Sequence, residues 1–481
     1  MTELTQQKKI SSIQITLLLV LVYFVVFLKI DTYPIRWWDE SMFAVNTYEM
    51  MHNGNYFSLY YEGIPDLVNT KPPLTIWVQL VFVKLIGYNE LAIRLPSAIA
   101  AAMTIIFLFV FMFKRFNPFM AWLSALILLT SPGFIGFHTA RTGDSDSLLS
   151  LFLLLGNIYF LKYILDDNKR FIFLFFLFIT LGFVTKMYAA LLFIPAYLVI
   201  LIKTKKLKEF LSNRFFLLGI VFFVTLSAGV LYLRELGTPG YLKEIFFKDA
   251  GRIFKVVEDH KQTWEFYTDF LILSRFSFWF IPFLIGVIFI LMDKERIKTN
   301  IFQYMLFMII SYMIIISFSV TKLFWYDMPL YPYLAVISAY CLYVIFEKFH
   351  TPDFQGSKLI IISLILFSYP YWIMFRKSEA NTMANGEKRN EIKEKFLFLK
   401  SLENKDVNGI KVYNTSWNGS LLFYKYKFAD AGQKIEITKT ADFKSGDKVL
   451  VSEDSLISVI KAKYNYTLLE KNNEAKLLQI Q

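Results

Sequence analysis

Cysteine is almost missing from this 481-residue chain. Cys341 stands alone, so no internal disulfide can form and no cysteine-based metal cluster can be built. Charge is scarce too, at 19% of residues. There are 4 histidines, none of them beyond residue 377. No solenoid-type repeat or low-complexity segment is present. The balance excludes disorder, collagen and a small disulfide scaffold. What the chain has in excess is apolar surface: 56% hydrophobic residues, with 51 Phe and 28 Tyr. A soluble domain runs at about 45–50%. The excess is gathered in runs such as Ile15 to Leu28, Met103 to Phe113 and Phe171 to Phe183. A net charge of +12 could point to nucleic acid, but runs this apolar point first to a bilayer.

A helix needs about 20 mostly apolar residues to cross the hydrocarbon core. Eleven windows qualify, near 13–30, 94–113, 118–136, 146–165, 170–184, 186–202, 214–234, 270–292, 300–319, 328–346 and 358–376. The fifth and sixth are short and nearly touch, which leaves a count of about 11–13. Lys8 and Lys9 precede the first window and no small-residue cleavage site follows it, the pattern of a retained signal anchor. With the N-terminus inside, every short inner loop is basic: Lys114-Arg115, Lys169-Arg170, Lys203 to Lys208, Lys294 to Lys298, and Lys348 with Lys358. That is the positive-inside pattern, and it accounts for most of the surplus charge. Two long loops, 31–93 and 235–269, then lie on the outer face, and the tail goes out with them.

Beyond residue 377 the apolar runs stop. Glu387 to Leu402 has helical spacing, with Ile392, Phe396 and Leu399 on one stripe. Ile410 to Tyr413, Leu421 to Phe428, Lys434 to Thr438 and Lys448 to Ser452 read as strands between Gly and Asn punctuation. The expectation is a polytopic, mainly α bundle over 1–377, followed by a small extracytoplasmic α/β domain over 378–481. Asn414, Asn418 and Asn465 occupy glycosylation-type triplets, a pattern common by chance.

Chemistry-bearing residues concentrate at the outer boundary. Loop 31–93 opens with Arg36-Trp-Trp-Asp-Glu-Ser, so Asp39 and Glu40 emerge just beyond the first span. An amphipathic stretch follows from Phe43 to Met51. The loop later carries Asn69-Thr-Lys-Pro-Pro, whose double proline holds an extended backbone and presents Lys71 rigidly. Arg141-Thr-Gly-Asp-Ser-Asp-Ser places Asp144 and Asp146 at the next mouth. Helix capping explains one of these acids, and the pair leaves a divalent cation open. Lys322-Leu-Phe-Trp-Tyr-Asp sets a lysine beside Trp325 and Tyr326, and Lys186 reads the same way. A lysine between apolar helices needs a partner or water. Arg252 and His260 come from loop 235–269, and a single histidine is more often structural. Carboxylates beside cations at the depth of a lipid phosphate suit transfer of a group from a membrane-bound phosphate donor to a hydroxyl.

In order along residues 10–345, Asp39-Glu40, Lys71-Pro-Pro-Leu, Glu90-Leu-Ala-Ile-Arg-Leu-Pro-Ser, Ala140-Arg-Thr-Gly-Asp-Ser-Asp and Thr321 to Pro332 resemble one family. It is the protein O-mannosyltransferase and lipid A aminoarabinose transferase family of membrane glycosyltransferases, with the C-type fold. The resemblance implies an inverting transferase using a polyprenyl-phosphate-linked sugar. Asp39 would deprotonate or orient the acceptor, Glu40 would be its partner, and Asp146 the second acid. Lys71, Arg252, Lys322 and Tyr326 would hold the departing phosphate, with no cofactor or metal required. Family members related to the aminoarabinose transferases carry glutamate before Lys-Pro-Pro, where it helps hold a metal. Thr70 stands there in this chain, which puts such a site in doubt. The implied enzyme is a monomer of the bacterial inner membrane with a periplasmic tail. Its acceptor is a lipid, a protein or another glycan. A transporter or flippase for a lipid-linked sugar is the alternative. It would place its charges near the bilayer midplane with inverted repeats, whereas these charges gather at one face.

Overall fold

The computed structural model describes residues 12–136, 138–257, 259–292, 296–348, 356–379, 390–472 and 474–481. Lys8, Lys9, Lys294 and the first turn expected at Glu387 lie outside the described residues. The chain forms two compact units: residues 1–28, 67–75 and 97–384 in the first, and 29–66, 76–96 and 385–481 in the second.

The first unit is helical. Among the described residues, six helices are long and apolar enough to span a bilayer: Glu90–Arg115 (whose first residues belong to the second unit), Asp146–Asp166, Arg170–Leu191, Arg214–Gly237, Asn300–Phe318 and Phe324–Lys348. A seventh is the pair Phe266–Arg275 and Ser277–Met292, bent by 118°. Shorter apolar helices include Ser12–Phe27, Pro118–Leu129 and Ile194–Lys203. The chain is a multi-pass membrane protein. The fifth expected segment runs on to Leu191, and the sixth shrinks to ten residues. The cause is local: Met187 takes a φ of 47°, and Pro195 at the start of Ile194–Lys203 cannot continue a preceding turn.

Close approach between the spans depends on glycine. A Cβ at Gly219 would fall 2.4 Å from the Phe176 ring, and one at Gly286 would fall 2.3 Å from the Ile337 carbonyl oxygen. Such small-residue contacts are how helices associate in lipid, where apolar burial offers little drive. Buried Asn157 adds a polar tie, donating to the Tyr333 hydroxyl and accepting from Tyr197, each at 2.5 Å. The helix Arg214–Gly237 leaves Leu217, Leu218, Val221 and Val224 exposed, the surface that lipid would cover.

The second unit is α/β. Strands β1 (Tyr60–Tyr61) and β2 (Ile64–Pro65) form a hairpin. Strands β3 (Ile410–Tyr413), β4 (Ile435–Thr438), β5 (Lys448–Val451), β6 (Tyr466–Asn472) and β7 (Ala475–Ile480) make a sheet in the order β4-β3-β5-β7-β6. β3 is parallel to β4 and β5, and β7 is antiparallel to β5 and β6. Alternation sends Val412, Leu450 and Leu477 to one face, and Tyr413, Val449, Val451 and Leu478 to the other.

The first face does not close on the tail alone. Its core also takes Ile35 and Ala44 from the segment after the first span, and Val83, Tyr88, Ala92 and Ile93 from residues 76–96. The amphipathic stretch after Asp39 is the helix Asp39–Asn53, with Phe43, Val45 and Met50 buried. Two features depart from expectation. Leu421 to Phe428 is not a strand but part of the helix Gly419–Asp430, whose Leu421, Phe423, Tyr424 and Phe428 all face this core. Leu74–Ile86 is a helix of 13 residues, too short to qualify as a span by hydropathy and placed directly after the double proline.

Candidate active site

In the first unit the site is assembled from helix ends. Pro132–Ile135 is a short turn of helix, and Thr139 to Ser145 then runs as irregular backbone into the helix Asp146–Asp166. Asp146 sits in the first turn, where the helix dipole favours a carboxylate. Its Oδ1 accepts from Lys186 Nζ at 2.6 Å, with both side chains largely withdrawn from solvent. Lys186 closes the helix Arg170–Lys186, and the positive φ of Met187 ends that helix there and delivers the ammonium.

Lys186 also lies 5.0 Å over the ring of Tyr326. The Tyr326 hydroxyl accepts from Arg252 Nη1 at 2.9 Å. Asp144 pairs with His138 at 3.0 Å, and the imidazole stacks on Trp325 with ring centres 3.7 Å apart. One continuous chain of contacts therefore joins Asp146, Lys186, Tyr326 and Arg252, and the neighbouring Trp325 carries His138 and Asp144.

The backbone around this chain is tightly held. Thr321 Oγ1 donates to the Lys255 carbonyl at 2.7 Å and accepts from Val257 N at 2.9 Å. Thr321 N bonds to the Arg252 carbonyl, and Lys322 N to that of His260. Lys322 is buried, its Nζ donating to the carbonyls of Ser319 and Gln262 at 2.5 and 3.2 Å. Burial lowers the Lys322 pKa from its ordinary value, and Glu265 opposes that only in part. Asp327 of the same motif is an anchor: Arg275, at the bend of the broken span, grips both its oxygens, and Tyr331 donates to Oδ2 at 2.9 Å.

Lys71 is presented by a clamped strand of backbone. Arg234, at the end of Arg214–Gly237, donates to the carbonyls of Asn69 and Lys71. The Tyr241 hydroxyl donates to the Thr70 carbonyl at 2.8 Å, and Lys248 to that of Leu67 at 3.0 Å. Arg141 takes the last carbonyls of the first span: Val25, Val26 and Leu28.

Asp39 and Glu40 belong to the second unit and open the helix Asp39–Asn53. The preceding Trp38 has φ 74° and ψ −117°, a conformation rare for a bulky residue. Glu40 is fully engaged. Arg94 meets its two oxygens at 2.7 and 2.9 Å, and Arg36 N donates at 2.7 Å. Burial pushes the Glu40 carboxyl up, but the Arg94 guanidinium outweighs it and holds the group below its usual range. Arg94 also donates to the carbonyls of Ile30, Tyr33 and Pro34, so this ion pair fixes the chain entering Asp39.

Sequence reasoning singled out Asp146, Lys186, Tyr326, Arg252 and Lys322, but not His138, Arg94, Arg234 or Arg275. Arg94 lay within a quoted motif, Glu90 to Ser97, where a cation in an otherwise apolar window was the available signal.

Residues 70–232 match the family described as dolichyl-phosphate-mannose-protein mannosyltransferase. Two Bacillus subtilis proteins, "Putative mannosyltransferase YycA" and "Putative mannosyltransferase YkcB", are each 28% identical, over 174 and 196 residues. Those matches cover 35% and 40% of this chain and 25% and 26% of theirs, so the similarity spans about a quarter of these relatives' length. The crystal structure of ArnT from Cupriavidus metallidurans bound to undecaprenyl phosphate superposes with a TM-score of 0.73 at 14% identity, covering 98% of both chains. The chain has the C-type glycosyltransferase fold. An oligosaccharyltransferase from Archaeoglobus fulgidus shares that C-type fold at a TM-score of 0.50 and 13% identity, over 85% of this chain and 63% of its own.

Proposed function

We propose that this chain is an inverting glycosyltransferase of the bacterial inner membrane. It moves a sugar from a polyprenyl-phosphate-linked donor to a hydroxyl or phosphate acceptor at the periplasmic face, where the tail also lies. The observation that carries the reading is the joined set Asp146, Lys186, Tyr326 and Arg252, with Lys322 on the same braced loop. Cations braced by backbone at the ends of spans suit a lipid phosphate, and they cost no reorganisation as its charge develops.

In this reading the acceptor oxygen bonds to the anomeric carbon as the anomeric carbon–phosphate oxygen bond breaks. The acceptor hydroxyl gives its proton to Asp39, and the lipid phosphate leaves with its charge met by Lys71, Arg252 and Lys322 and by the Tyr326 hydroxyl. Glu40, fully bonded to Arg94, acts as a positioning residue for the turn that carries Asp39. The match to mannosyltransferases and to ArnT supports the donor class. The test is Asp39→Asn in membranes supplied with lipid-linked sugar. Insertion and undecaprenyl phosphate binding should persist while transfer falls by at least about a hundredfold, in line with losing a general base. Full activity in that variant would sink the reading.

A further inference from the structure

Two spans of the first unit begin at one cavity of about 710 Å³. It is lined by Asp166 to Arg170 on one side and Ser212 to Phe215 on the other. These turns open the helices Arg170–Lys186 and Arg214–Gly237, which pack closely enough for Gly219 to meet the Phe176 ring. The cavity is therefore a fixed gap between two helix starts. It lies on the face that the basic loops assign to the cytoplasm.

The charges around it do not cancel. Asp166 pairs with Arg115, which stands outside the lining, and Asp167 pairs with Lys206 at 2.5 Å. Lys169 pairs with Glu209 at 3.3 Å. Arg170 and Arg214 are left over. Both are exposed, and among the described residues neither guanidinium meets a carboxylate. Arg214 has only the ring of its neighbour Phe215, 5.0 Å away. Neutral donors stand beside them. Asn168 Oδ1 accepts from Arg170 N at 3.1 Å, and Asn213 Oδ1 accepts from Phe215 N at 2.9 Å. Each amide Nδ2 remains to donate, and no described residue takes it. Two guanidinium groups and two amides, with every lining acid already paired, suit the oxygens of a phosphodiester.

The surface below the cavity favours a lipid over a free phosphate. Phe215, Leu218 and Phe222 fall on one face of Arg214–Gly237 at helical spacing, and Leu218 is 56% exposed. The Phe222 ring lies 5.9 Å from that of Phe173, one turn past Arg170 on the other helix. An apolar strip thus continues from the charged cavity along the spans, where an acyl chain would lie. We propose that this cavity binds the phosphodiester headgroup of an anionic phospholipid of the cytoplasmic leaflet. Basic pockets between spans on that side suit such headgroups. Lys186 and Arg234 stand at the other ends of these two helices, so the site is separate from the transfer reaction proposed above.

Binding of tail-labelled lipids to the full-length protein in detergent, read by fluorescence anisotropy, tests this. Phosphatidylglycerol should bind at least about tenfold more tightly than phosphatidylethanolamine, whose amine offsets the phosphate charge. Arg170→Gln combined with Arg214→Gln should weaken phosphatidylglycerol binding by at least about tenfold. The two exposed arginines make no described side-chain hydrogen bond, so replacing them leaves the fold intact. Lys205→Gln combined with Lys208→Gln removes the same charge from the same face outside the lining. That pair should change binding by no more than about twofold, since exposed charges beyond a Debye length are screened. Equal losses in the two double variants would reduce the effect to general surface charge and overturn the site. Equal binding of the two phospholipids would overturn it as well. Displacement of phosphatidylglycerol by millimolar inorganic phosphate at constant ionic strength would assign the cavity to a soluble anion instead.

Discussion

At the scale of single residues, the chemistry turns on how a few charges are kept in place away from water. The Asp146–Lys186 pair is buried, and removing one partner from such a pair leaves an uncompensated charge. Lys322 has no carboxylate among its described hydrogen-bond partners, which are the carbonyls of Ser319 and Gln262. Burial therefore acts on it with little opposition, and its pKa lies below the ordinary lysine value. The sign follows directly. The protonated form binds a phosphate, and that form is lost as pH rises through the lowered pKa. Undecaprenyl phosphate affinity should thus weaken on the alkaline side earlier than an ordinary lysine would allow. Lys322→Arg, whose charge persists, should move that loss to higher pH. A binding curve unchanged in shape between the two proteins would show that Lys322 does not face the phosphate. The lysine was visible in the sequence as a charge among apolar residues. Its bonding to carbonyls 3 and 60 residues away was not.

At the scale of elements, the turn into the helix Asp39–Asn53 is the feature on which the proposed base depends. It is held from outside the helix: Arg94, 54 residues on, takes both Glu40 oxygens and three carbonyls of the incoming chain. Glu40→Gln should destabilise the second unit by about 3–5 kcal/mol, the usual result of leaving a buried charge without its partner. In the unaltered protein the Glu40 carboxyl is held below its unfolded value. Its contribution is complete above the ordinary carboxylate pKa and fades as pH falls toward the lowered one. Glu40→Gln should therefore flatten the acid limb of a thermal melt series between those two values. An acid limb of the same steepness would assign the pH dependence elsewhere. Element identity was legible where hydropathy was extreme, as in Asp146–Asp166, and misleading at Leu421 to Phe428. There, alternating aromatic and lysine residues fit a strand as well as a helix, and the shared core settled it.

At the scale of the whole molecule, the division of the chain does not follow its order. The tail beyond residue 384 shares a hydrophobic core with residues 29–66 and 76–96. Glu90 joins them electrostatically, receiving Lys400 and Lys427 at 2.6 Å and Tyr424 at 3.0 Å. A chain ending at residue 384 should thus leave Ile35, Ala44, Tyr88 and Ile93 uncovered. Limited proteolysis of that truncation in membranes should cut within 31–66, where the full chain resists. Equal resistance would mean that the segment folds without the tail.

Hydropathy and loop charge are local properties, so the sequence by itself determined where the apolar segments fall, which loops are basic and which motifs carry the charged residues, but not how long each helix runs. Residues distant in the chain meet only through packing and complementary charge, and no periodicity records the partner. The tertiary structure alone decided that Arg94 holds Glu40, that Arg275 holds Asp327, and that Trp417 comes to stand beside Trp38.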